Sequence, residues 1–105
     1  MKIYSSELKG KKIEHYDKEK RYRIGEVKMV HRDGVSVRLP YETVNRRVNK
    51  KHIIGQITHS FQRDIVWEDD VNEILRKVRK KFGQQVMNLN DGNLKALIIY
   101  ILVNG

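Results

Sequence analysis

The sequence predicts an α+β domain: a small antiparallel β-sheet or SH3-like partial barrel over about residues 11–58, followed by two C-terminal helices. Three observations carry this. Residues 11–58 hold short apolar stretches broken by turn signals such as Arg32-Asp33-Gly34. Val71, Ile74, Leu75, Val78 and Phe82 then repeat at helical spacing, and after the break Asn90-Asp91-Gly92-Asn93 so do Leu94, Leu97, Ile98, Ile101 and Leu102. A chain of 105 residues, 39% apolar and 33% charged, should fold as a single domain, 1–105, around one modest core.

At the N-terminus, Ser5 to Gly10 reads as one short turn, with a capping serine and a glycine able to take positive φ. Lys11 to Tyr16 fits a short edge strand whose lysines discourage pairing with other molecules. A charged turn, Asp17 to Arg21, leads into a hairpin. A three-residue loop Arg32-Asp33-Gly34 sets His31 opposite Val35, Met29 opposite Val37 and Val27 opposite Leu39, which gathers the apolar side chains on one face. Lys28, Val30, Ser36 and Arg38 then share the other face. Gly34 would supply a left-handed residue, and Gly25 a bulge returning Tyr22 and Ile24 to the core side.

Pro40 can open a short helix in which Tyr41, Val44 and Val48 share one side. His52 to Ile57 reads as a further strand with Ile53 and Ile57 on one side, and Ser60 to Trp67 as a connection. The first long helix has capping-box spacing at Asp70-Val71-Asn72-Glu73 and a stop near Gly83, and Lys77, Arg79, Lys80 and Lys81 suit its negative end. The last run is rich in β-branched residues, yet an Asn or Asp cap and its length favour helix. Such a helix is apolar on every side. Its second face, including Ile99, Tyr100 and Val103, is a candidate interface with a second copy or a protein partner.

No cysteine is present, which removes disulfides and cysteine-ligated zinc. The N-terminus lacks the apolar segment of a secretory signal, and the run 96–103 is too short to span a bilayer, so the expectation is a cytoplasmic protein without membrane contact. The formal net charge is +9, of which +8 falls in residues 1–60. An excess of that size favours a polyanionic partner, because neutralising phosphates releases condensed counterions.

His15, His31, His52 and His59 show no metal-binding spacing, the glycines form no phosphate loop, and no cofactor is implied. A catalytic group is not singled out either. His31 with Glu26 or Arg38 is the one constellation that a small ribonuclease-type toxin could use. The basic cluster is stronger: Lys28, Arg32 and Arg38 on the hairpin, then Arg46, Arg47, Lys50 and Lys51. Tyr41 is a possible stacking group beside it. Tyr41-Glu42-Thr43-Val44-Asn45-Arg46-Arg47-Val48-Asn49 is similar to the recognition helix of lactose-repressor-type helix-turn-helix regulators. The likeness covers nine residues and departs upstream, where Val35 to Pro40 is too strand-like for the tight turn. It implies base contacts from Tyr41 and Glu42, a backbone or base contact from Arg46, and DNA in preference to RNA.

The sequence thus leads to a small, basic, non-catalytic nucleic-acid-binding protein, regulatory or accessory in role. Lys28, Arg32, Arg38, Tyr41, Arg46, Arg47, Lys50 and Lys51 form its expected contact set. The competing class is a protein-binding inhibitor or adaptor that uses the apolar C-terminal helix, as a homodimer or with another protein.

Overall fold

The computed structural model describes residues 2–56 and 62–105, so the strand reading at Ile57, the start of the connection at Ser60, and His59 lie outside the described residues. Among the described residues, seven strands and two α-helices follow one another: β1 Ile3–Tyr4, β2 Lys12–Tyr16, β3 Tyr22–His31, β4 Gly34–Arg38, β5 Arg46–Asn49, β6 Ile53–Gln56, β7 Ile65–Val66, α1 Glu68–Phe82 and α2 Asp91–Asn104. Five strands form an antiparallel sheet in the order β5-β4-β3-β2-β6, and β1 pairs β7 in a separate parallel ladder. A single 3-10 turn, Lys50–His52, carries the chain from one edge of the sheet to the other. That is the strand order of an SH3-like barrel, but no ladder joins β5 to β6 among the described residues, so the barrel description is approximate.

Alternation builds the sheet's core. Ile13, Val27, Val35, Val37, Val48 and Ile53 are buried on one side, joined by Leu8 from the N-terminal 3-10 turn and by Ile65 and Trp67. Gly10 closes that 3-10 turn at φ +85, where a side chain would be strained, and its amide bonds the Val27 carbonyl at 2.8 Å. β2 lies between β3 and β6, so Lys11 and Lys12 do not guard an edge.

The hairpin register differs from the sequence expectation. His31 faces Gly34, Val30 faces Val35, Met29 faces Ser36 and Val27 faces Val37, leaving a loop of only Arg32 and Asp33. A bulge at Lys28 makes this possible: it adds a residue between Val27 and Met29, so Val27 and Val30 both reach the core while Met29 stays exposed. Gly25 pairs with Ile13 in regular register and is no bulge, and Tyr22 and Ile24 face solvent. Gly34 is needed for room and not for positive φ. β5 crosses so near that an added Cβ would run into the Val48 carbonyl oxygen.

The segment after Pro40 is not helical, which removes the likeness to a recognition helix. The Glu42 amide bonds the Leu39 carbonyl at 3.2 Å, and Tyr41 takes φ +66. This is the pattern of a type II turn, with proline at its second position and the left-handed residue at its third. Val48 then belongs to β5, paired with Val35, whereas Tyr41 and Val44 are exposed.

The helices do not lie on the sheet face. They pack on one another and form a second cluster, in which Val66, Val71, Leu94 and Ile98 are buried and Tyr4, Ile74, Val78, Ile99, Leu102 and Val103 are partly buried. Two cores therefore stand where the sequence suggested one, and the molecule is elongated, 53 × 24 × 21 Å. β1 and β7 form the wall between them: Ile3 and Ile65 belong to the sheet's core, Tyr4 and Val66 to that of the helices. α1 begins at Glu68, two residues before the expected capping box, and no side chain caps it. Asn90 does cap α2, its side chain accepting from the Asn93 amide at 2.7 Å. Arg79 holds the connection between the helices by bonding the Val86 and Leu89 carbonyls and Asp91. Among the described residues, no helix is long and apolar enough to cross a membrane.

Gly34→Ala is expected to destabilise the fold by about 1–3 kcal/mol, because overpacking forces β4 and β5 apart. Urea unfolding measures this, and an unchanged midpoint would mean that the two strands have slack.

Candidate nucleic-acid interface

The sheet separates the predicted contact residues into three places. The first is the outer face at β2, β3 and β4. Lys12 pairs in register with Glu26, and Glu26 with Arg38, so three neighbouring strands place a cation, a carboxylate and a cation in one row. Lys28, raised by the bulge, bonds Glu26 as well. Hydrogen bonding and charge from Lys28, with further help from Lys12 and Arg38, hold the Glu26 carboxyl below its ordinary pKa. One carboxylate thus answers three cations. Arg38 donates through Nε to Asn45 Oδ1 at 3.0 Å and makes no ion pair among the described residues.

These groups line an open hollow of about 490 Å³ that also takes in Ile24, Pro40, Tyr41 and Glu42. Tyr41 is fully exposed, and its left-handed backbone is rare for a bulky side chain. Lys28, Arg38 and Tyr41 are therefore brought together, as the sequence suggested. Lys12 joins them, which the sequence reading missed. Its signal was the alternation of Lys12-Ile13-Glu14-His15, which turns Lys12 outward once Ile13 is placed in the core.

The second place lies beyond the type II turn. Arg46 donates to both oxygens of Glu42, at 2.7 and 2.9 Å, and Arg47 donates to Asp33 at 2.8 Å. Each arginine's bond holds its partner carboxyl below the ordinary range. Arg46 and Arg47 line a second hollow with Lys18, Lys20, Asn45 and Asn49. The turn leading to it is organised by Asp17, whose carboxylate accepts from the Glu19 and Arg21 amides at 2.9 Å each and from Arg23 Nε at 3.2 Å. The Arg21 amide first, then the Arg23 side chain, bring the Asp17 pKa to about 2.

The third place is structural. Lys50 donates to Asp69 at 2.8 Å and to Asp70 at 3.2 Å, and the Asp69 amide bonds the Arg32 carbonyl at 3.1 Å. Burial works against the charge on Lys50, but the hydrogen bonds to Asp69 and Asp70 together raise its pKa. Lys50 therefore clamps the sheet to α1. Arg32, at the hairpin tip, stands the length of β4 away from Arg38, roughly 16 Å for five residues at 3.3 Å each. Lys51 is exposed and has no ion pair among the described residues. The expected set of seven cations does not converge on one surface.

The ribonuclease constellation is not assembled. His31 bonds Ser36 at 2.7 Å, and Glu26 and Arg38 are committed to the cross-strand row. No cluster of three or more potential metal ligands occurs among the described residues. Of the partner residues on α2, Tyr100 is exposed, but Ile99 and Val103 pack toward α1, so the outer stripe is Leu97, Tyr100 and Ile101. Comparison with protein-family models, curated proteins and solved structures returns no match.

His15 lies on the core side of β2, 1% exposed. Burial pushes its imidazole pKa down, offset in part by the Ile13 carbonyl and Asp17. The unfolded chain therefore takes up a proton near pH 6.5 that the folded chain resists. The contribution of His15 to stability is complete above that pH and is lost as the pH falls toward the lower folded value. Urea unfolding at pH 7.5 and 5.5 should show a smaller loss on acidification in His15→Phe than in the parent. Equal losses would show that the imidazole does not resist protonation.

Proposed function

We propose that the protein is a small, non-catalytic nucleic-acid-binding protein, regulatory or accessory in role, that holds a single strand against the Lys12, Lys28, Arg38 and Tyr41 face of the sheet. The observation that carries this reading is the cluster of three cations, Lys12, Lys28 and Arg38, around the Glu26 carboxylate beside a fully exposed tyrosine in a left-handed turn. Cations following a groove and an aromatic ring offered to a base are the two parts of a single-strand site. A duplex asks for a helix or ribbon that fits a groove, and the segment with that promise is a turn. The preference for DNA rested on the same segment, so DNA and RNA strands now stand equal.

Single-stranded DNA and RNA oligonucleotides, titrated by fluorescence anisotropy across salt concentrations, test this. Lys12→Ala with Arg38→Ala should lower the salt slope by about 1.4, two phosphates at about 0.7 each for single strands. Arg32→Ala should leave it unchanged. Tyr41→Gly should stabilise the fold by about 1 kcal/mol by relieving the left-handed strain while weakening binding by about 1–3 kcal/mol through lost stacking. Absence of affinity at low salt for either polymer would overturn the reading.

A second reading, association of two copies through α2, is favoured by the exposed stripe Leu97, Tyr100 and Ile101. The stripe is uncharged and belongs to the half of the chain that carries only +1, where two copies of a +9 molecule repel least. Sedimentation should show a dimer that Leu97→Glu with Ile101→Glu dissociates. A monodisperse monomer at high concentration would remove this reading.

A further inference from the structure

The hollow beyond the Tyr41 turn, about 390 Å³, falls in the size range of small-ligand sites. Its most informative wall is His15. The side chain is 1% exposed, and Nδ1 has no hydrogen-bond partner among the described residues. Buried polar nitrogens are normally paired. This one is shielded from solvent with the Ile13 carbonyl acting on its ring, so His15 marks the wall of the hollow and the groups a ligand meets are those around it. The surroundings determine which ligand. Lys18, Lys20, Arg46 and Arg47 line the hollow against a single carboxylate, Asp17, whose oxygens are occupied by amides and arginines. A metal cation is disfavoured there and an anion favoured.

Asn45 and Asn49 also line the hollow. Each uses its amide oxygen, toward Arg38 and the Lys51 amide respectively, and the amide nitrogens make no hydrogen bond among the described residues. Amide donors thus stand beside a ring of cations, which matches a ligand that joins a planar hydrogen-bonding edge to a phosphate. The Arg47–Asp33 pair is exposed and such pairs are weak, so a phosphate can displace Asp33, whereas Glu42 is partly buried and holds Arg46 by two bonds, so a phosphate there shares Arg46 with it.

Resting on the single-strand reading above, we propose that this hollow takes one nucleotide unit of the strand, its base edge toward the two asparagines beside the His15 wall and its phosphate on Lys18, Lys20, Arg46 and Arg47. The segment 41–47 contributes to both hollows, and two side-chain contacts cross between them: Arg38 to Asn45, and Arg46 to Glu42. A strand stacked on Tyr41 in the first hollow therefore has a basic path to the second.

The test uses the full chain with its histidine rings labelled with ¹⁵N, titrated with each of the four nucleoside monophosphates and, separately, with inorganic phosphate. At least one nucleotide should shift the His15 ring saturably, and phosphate should not. Lys18→Ala with Lys20→Ala should weaken that nucleotide by about a hundredfold, the effect of losing two charge-assisted hydrogen bonds at about tenfold each. An equal shift with phosphate alone would reduce the hollow to an anion site and overturn the proposal, as would the absence of any saturable shift. Oligonucleotide binding that leaves the His15 ring unmoved would overturn this inference and leave the single-strand reading standing. A nucleotide-induced shift without oligonucleotide binding would overturn the single-strand reading and, with it, the assignment of this hollow to a strand, leaving a site for free nucleotide.

Discussion

Two residues of β1 paired with two of β7 hold this molecule together. Because strand side chains alternate, Ile3 and Ile65 face the sheet's core while Tyr4 and Val66 face the helices, and Trp67 returns to the sheet. A ladder this short serves both cores only because its period is two. A slip of one residue would exchange the faces and open both cores at once. Outside the ladder, Lys50 with Asp69 and Asp70, and the Asp69 amide on the Arg32 carbonyl, fix the angle at which α1 leaves the sheet. The elongated shape follows, and it leaves the outer face of β2, β3 and β4 uncovered by helix.

The elements that were legible in the sequence are those whose pattern is local and long. The α1 stripe from Val71 to Val78 and the Asn90 cap of α2 needed no knowledge of distant residues. The hairpin register was not legible, because a smooth strand must send either Val27 or Val30 inward, and the bulge at Lys28 admits both. β5 was hidden for a related reason: Tyr41, Val44 and Val48 keep helical spacing, but Pro40 and Tyr41 spend it on a turn. The run Ile65-Val66-Trp67 read as a connection because three alternating apolar residues are too few to mark a wall between two cores.

The candidate site was partly legible, and the limit was charge pairing. Counting cations in a window treats each as available. Folding brings Asp33 to Arg47 from fourteen positions away and Asp70 to Lys50 from twenty, so the count overstates the free charge. Lys28, Arg38 and Tyr41 survive together on one face. Lys12 joins them through a register that no window contains.

Tyr41 sharpens the argument about what the exposed face is for. The third position of a type II turn favours glycine, and a bulky residue there costs the fold about 1–2 kcal/mol. A side chain that packed into the core could offset that cost, but Tyr41 is fully exposed. The ring therefore gives the isolated domain nothing in exchange for the strain. Its one structural consequence is to fix an aromatic surface at the rim of a hollow bordered by three cations. Strained residues cluster at ligand clamps and active sites, and a flat, anionic strand is the partner we propose because it would meet both the ring and the cations of this rim.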